Sequence, residues 1–303
     1  MVDTLSRHRW RHKSVVALLN GQKTRDPTEV IRHKARELVQ RARAKGWSGP
    51  PFDPLVLASL LGIRCLPSTT LFSAEAQLSP QPGRQLLLEF NPDRPDGRRN
   101  YSVCHEIVHT FFEDCYELVH QRKTRPFHFD PDQEVEMLCQ IGASELLMPI
   151  EEFGTDLALV EFSLNAVPSL VSRYGASREA VIRRMVHIGG HTCAAAFFSR
   201  RLSPREKISA KQPRLIADTG PSPKMRIIYS VPSQDFPVYL PPHKSVSDDS
   251  CVNAPTAVDF VASAVEVWDI PGFGEWKIDA MRLPAPDGAD DTIPSVAALI
   301  RAE

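Results

Sequence analysis

None of the six cysteines pairs with another as C-x-x-C, and no apolar run is long enough to cross a bilayer. The first absence leaves no paired-cysteine motif. The second leaves no candidate membrane span, since runs such as "FVASAVEVW" are broken by charge too early. A large charge of either sign is also missing. The formal net charge of -1 argues against wholesale attraction to nucleic acid or an anionic membrane. The N-terminus "MVDTLSRHRWRHKSVVALL" has basic residues but no sustained apolar core and no small-residue cleavage site, so no secretory signal is expected. Scattered cysteines in such a chain read as reduced, buried thiols, and the expected compartment is the cytoplasm. No internal repeat is visible.

What is present is enough chain for more than one core. With 303 residues, two or three domains are expected. Residues 1–26 alternate basic and polar residues with little periodicity and read as a flexible basic extension. Trp10 lies among Arg7, Arg9, Arg11 and Lys13. "DPTEVIRHKARELVQRARAKGW" has helical spacing of Val30, Ala35, Leu38 and Ala42, with Asp26-Pro27 as cap and first turn. "PLVLASLLG" predicts a short helix closed at Gly62, and "IRCLP" and "RQLLLEFN" predict strands. "PDRPDGRRN" reads as a turn. A helix is then expected from a Ser102 cap to about His120, and another over "EVEMLCQIGASELL". "SLNAVPSLVSRYG" and "ASREAVIRRMVHIGG" form a helix-turn-helix-like pair, broken at Gly175 and capped by Ser177. Beyond about residue 192 the texture changes. "CAAAFFS", "MRIIYSVP", "PVYLP", "AVEVWDI" and "EWKIDAMRL" predict strands of a separate α+β domain.

The chemistry concentrates in "YSVCHEIVHTFFEDC", where His105, Glu106 and His109 follow H-E-x-x-H. Residues i and i+4 share a helical face, so two imidazoles can converge on one ion. Glu106, one position on, can reach a water at that ion and act as general base. The apolar neighbours Val103, Ile107, Val108, Phe111 and Phe112 argue against three merely solvated side chains. Cys104 is read as packing.

A third protein ligand is required for a catalytic zinc. Positions 112 and 115 are Phe and Cys, which excludes the metzincin continuation H-E-x-x-H-x-x-G-x-x-H. Glu113 lies too far along the helix. A carboxylate from the second helix remains, as in gluzincins. Glu136 shares a face with Cys139, Gln140, Ala143 and Leu147 and is the first choice, with Glu134 in reserve. His120, His128, Asp130 and Asp132 on the connection are further candidates, read as solvated.

The run "RRNYSVCHEIVHTFF" followed by a Glu and "CQIGASELLMP" resembles the ImmA/IrrE family of zinc metallopeptidases. Ala143, Glu145, Leu146, Leu147, Met148 and Pro149 match its E-L-L-M-P-like segment, and this register puts the family's ligand on Glu136. Cys139-Gln140 and Gly142 depart from the usual Ala-Asn and Phe. The resemblance spans roughly residues 28–190. With the added C-terminal part, the chain is similar to the longer IrrE type, which has a helix-turn-helix-like segment and a GAF-like domain.

The resemblance implies an α+β multidomain chain. Its expected parts are the extension 1–26, a gluzincin-like metallopeptidase domain at 27–152, a helix-turn-helix-like segment at 153–192 and a GAF-like sensor domain at 193–303. It implies a site-specific zinc endopeptidase, with Mn2+ or another divalent ion as substitute. The implied metal ligands are His105, His109 and Glu136, with Glu106 as the base. Its substrate would be a helix-turn-helix transcriptional repressor, cut to induce the response to radiation and DNA damage. Tyr101 is a candidate oxyanion donor. A small-molecule or protein signal is expected at the C-terminal domain. Arg178, Arg183 and Arg184 could touch DNA, but the stripe Leu170, Val171, Val181, Ile182 and Met185 accounts for the pair as packing. The competing reading is a non-enzymatic, DNA-binding or ligand-sensing regulator with a structural metal. An intact Glu106 favours the enzyme.

Overall fold

Asp26 caps α2 (Pro27–Ala44) by accepting the Thr28 amide at 2.8 Å, with Pro27 in the first turn. The apolar stripe Val30, Ile31, Ala35, Leu38, Val39 and Ala42 is buried. Part of the chain before it is helical as well. The structure is a computed structural model describing residues 10–71, 74–116, 120–123, 132–210, 220–255, 257, 259–284 and 295–302. Within the stretch expected as a flexible extension, Lys13–Leu19 forms helix α1, with Val15 wholly buried and Leu18 nearly so. The expectation fails there because "SVVALL" is apolar enough to dock. Arg7 and Arg9 lie outside the described residues.

Contacts divide the chain into two compact units. One comprises Met1–Phe153 and Leu170–Ala180, the other Gly154–Ser169 and Val181–Glu303. Residues 153–192 are thus shared between them.

In the first unit, α3 (Pro54–Leu60) is followed by Gly62 at φ +74°. Strands β1 (Arg64–Pro67), β2 (Ala74–Gln81), β3 (Gln85–Phe90) and β4 (His120–Lys123) form a sheet of order β1-β3-β2-β4. β1 runs parallel to β3, and β2 is antiparallel to both β3 and β4. β2 is not among the expected strands, because the apolar positions of "AEAQLSPQ" are mostly alanine and it carries Pro80. Helix α4 (Asp96–His109) packs against β2 and against α5 (Asp132–Leu147), which also meets α2.

α4 starts seven residues earlier than the Ser102 cap predicts, and stops at Thr110 rather than near His120. "DGRRN" is helical, not a turn. A Cβ at Gly97 would meet the carbonyl carbon of Ala176 at 2.6 Å, so glycine here serves close approach. Ser102 is buried within the helix, its hydroxyl 2.8 Å from the Arg98 carbonyl and 2.9 Å from a Glu75 carboxylate oxygen.

Gly142 sets the spacing between α4 and α5. A Cβ there would lie 2.7 Å from both methyls of Val108 and 3.1 Å from a methyl of Ile31. Val108 is β-branched and wholly buried, so it has little room to give. Gly142→Leu is expected to cost about 1–3 kcal/mol through overpacking. The check is a lowered urea midpoint, and an unchanged midpoint would contradict this close approach.

The second unit contains the five-stranded sheet β6-β5-β9-β8-β7, antiparallel throughout. Its strands are β5 (Cys193–Arg201), β6 (Lys224–Pro232), β7 (Val261–Glu266), β8 (Trp276–Arg282) and β9 (Val296–Arg301). One face carries Phe198, Ile227, Ile278, Ala298 and Ile300, packed with Trp268 and Phe273, whose rings stack 4.8 Å apart. "PVYLP" is not a strand. Its two prolines cannot donate to a ladder, yet Val238 and Leu240 are buried in this core. β9 is a further strand beyond those expected.

The remaining helices are α6 (Ile150–Ala158), α7 (Val167–Tyr174), α8 (Arg178–Ile188) and α9 (Pro204–Ala210). Gly175, at φ +57°, separates α7 from α8, and the Ser177 hydroxyl accepts the Ala180 amide at 3.2 Å. Arg184, a candidate for DNA contact, is buried, while Arg178 and Arg183 are half-buried. Among the described residues, no helix is long and apolar enough to cross a membrane.

Candidate metal centre

His105, Glu106 and His109 have no solvent exposure. They lie on α4 among Val103, Ile107 and Val108, which are equally buried. Placing three ionisable side chains in such surroundings costs several kcal/mol unless opposite charge or hydrogen bonding compensates. The two imidazoles meet edge to face, their centroids 5.1 Å apart. One helical turn brings them together, as the i, i+4 spacing requires.

α5 supplies the opposing side. The Glu136 carboxylate bridges both imidazoles, at 3.1 Å from His105 Nε2 and 3.5 Å from His109 Nε2. Its side chain is 34% exposed, so the centre opens to solvent on that side. Glu134 points elsewhere. Its carboxylate accepts the backbone N–H groups of Arg11 and His12, each at 2.9 Å, and so fastens the start of the described chain to α5. Asp132 faces His12 Nε2 at 3.6 Å. Glu113 is exposed in a 3-10 turn past the end of α4. His128, Asp130 and the His120 side chain lie outside the described residues.

The Tyr101 hydroxyl donates to the Gln140 carbonyl at 3.0 Å and ties α4 to α5. Cys104 is buried, and that burial pushes its thiol well above the usual range.

One residue at the centre is not singled out by the motif. Cys139 is wholly buried, and its sulfur lies within 4.8 Å of a ring nitrogen of His105 and of His109, which are equally close to each other. Burial first, then the Glu136, Glu106 and Asp114 carboxylates, raises its thiol pKa. The available signal in the sequence is its position three residues after Glu136, on the same helical face.

Two imidazoles, a carboxylate and a thiol are donors that suit a divalent metal, zinc above all. A cation would also offset the buried carboxylate charge. With Glu106 beside the pair, the arrangement is a candidate metal centre of metallopeptidase type. Residues 69–186 match the family described as Peptidase_M78: IrrE N-terminal-like domain. The chain therefore carries a domain of the ImmA/IrrE metallopeptidase family.

A solved structure of a Mycobacterium tuberculosis transcriptional regulator is similar over 90% of this chain and 87% of that one. The TM-score is 0.55 at 12% identity, a likeness of fold. No curated protein matches the chain.

Proposed function

We propose that this chain is a zinc-dependent, site-specific endopeptidase whose substrate is a helix-turn-helix transcriptional repressor, cleaved to induce the response to radiation and DNA damage. The observation that carries the reading is the Glu136 carboxylate lying across both imidazoles of H-E-x-x-H, within the matched family segment. His105, His109 and Glu136 would hold the ion, and Mn2+ could replace zinc. When bound, the metal supplies Lewis acidity and positive charge toward a peptide carbonyl.

The chain's own groups do the rest. Glu106 accepts a proton from the attacking water on a carboxylate oxygen and returns it to the departing amine. Its apolar helix restricts bulk water, so the proton stays with the reacting groups. The partly exposed Glu136 side leaves an approach for an extended protein segment.

The five-stranded sheet of the second unit supports a GAF-like sensor, taking a small-molecule or protein signal. The alternative, a non-enzymatic regulator, draws support from the similar Mycobacterium tuberculosis protein, which is described as a transcriptional regulator. Against it, a purely structural metal has no use for Glu106.

The substrate class is tested by incubating the full chain with zinc and a panel of purified helix-turn-helix repressors, beside unrelated proteins of similar size. The expected result is one cut in one or a few repressors, mapped by mass spectrometry. Cleavage of the unrelated proteins at similar rates would reject repressor specificity.

A further inference from the structure

We propose that Cys139 is a fourth protein donor to this centre, so that the resting site is closed by sulfur until an incoming substrate or other oxygen donor displaces the thiolate. The inference rests on the metal-centre reading above and extends it to a residue outside H-E-x-x-H and its glutamate.

Three observations carry it. The ligand atoms of His105, His109 and Cys139 lie within 4.8 Å of one another. Donor atoms around a tetrahedral zinc stand roughly 3.5 Å apart, as bond lengths near 2.0–2.3 Å require, so a small side-chain adjustment suffices. Secondly, Glu136 and Cys139 are three residues apart on α5, and Glu136 already touches both imidazoles. The same helical face therefore delivers oxygen and sulfur to one place. Thirdly, the approach is close because Gly142 allows it, one turn further along α5. Among the described residues, no other cysteine joins a cluster of metal-binding type. The buried Cys104, Cys115 and Cys193 are packing thiols by comparison.

The chemistry gives the consequence. Zinc binds thiolate and imidazole together readily, and four protein donors make a closed site with no position for water. A catalytic site keeps one position open. With Cys139 bound, the centre holds metal tightly but is latent. Withdrawal of the sulfur leaves His105, His109 and Glu136, the open three-donor set. Coordination releases the thiol proton to solvent and involves no change of oxidation state.

Cobalt(II) reports sulfur ligation directly, through a sulfur-to-cobalt charge-transfer band in the near ultraviolet. The full chain loaded with Co2+ is expected to hold one ion and show this band. Cys139→Ser and Cys139→Ala should keep one ion, lose the band and bind cobalt at least tenfold more weakly. Cys104→Ser should retain the band. Acetohydroxamate, a small oxygen chelator, tests the closure. It should perturb the visible cobalt spectrum of Cys139→Ala at concentrations at least tenfold lower than for the unaltered chain. One bound cobalt without a sulfur band, or a band that survives Cys139→Ser, would overturn the proposal. Equal sensitivity to hydroxamate would overturn the closure. Failure of every form to bind cobalt would reject the metal centre itself, a result distinct from the others.

Discussion

Glu106→Gln is expected to retain its metal and lose cleavage by roughly a hundredfold to ten-thousandfold. That corresponds to about 2.7–5.5 kcal/mol of transition-state stabilisation. Glutamine has nearly the same shape, so the buried position between His105 and Val108 stays filled. It still makes hydrogen bonds, but its amide cannot take a proton from water near neutral pH. Elemental analysis and single-turnover cleavage on the same sample check both halves. Undiminished cleavage would remove Glu106 from the reaction. Lost metal would make it a ligand instead of a base.

The second large effect separates two glutamates on one helix. Glu136→Ala, like His105→Ala or His109→Ala, is expected to weaken metal binding by more than about a hundredfold. Even outer-shell partners commonly account for tenfold to a hundredfold. Glu134→Ala should keep one ion per chain. Its carboxylate holds the Arg11 and His12 amides, so its loss loosens the segment before α1 at a cost on the order of 1 kcal/mol. Equilibrium dialysis with zinc measures the first effect and thermal unfolding the second. Full metal in Glu136→Ala with loss in Glu134→Ala would exchange the two assignments.

The centre is legible in the sequence wherever chemistry is carried by local spacing. Residues i and i+4 on a helix must share a face, and residues two apart must not, so His105, His109 and the choice between Glu134 and Glu136 can be argued before any fold is known. The limits of α4 are not legible. Gly97 reads as a turn signal unless one knows that the Ala176 backbone lies against it. Ser102 reads as a cap unless one knows that Glu75, far back in the chain, meets its hydroxyl. β2 hides because its alternation rests on Ala74, Ala76 and Leu78 with Pro80 beyond them, a weak strand signal until its pairing with β3 and β4 is known. Cys139 looks like a small packing residue, and only the approach of α5 to α4 brings its sulfur beside two imidazoles. Long-range contact supplies each missing fact.

The most direct test of the central claim is metal-dependent cleavage by the full chain. Protein stripped with chelator and dialysed should leave a susceptible repressor intact, and one equivalent of zinc should restore a single discrete cut. The same addition to Glu106→Gln should bind and restore almost nothing. Cleavage that persists in the stripped protein, or that Glu106→Gln performs as well as the unaltered chain, would contradict the metallopeptidase reading.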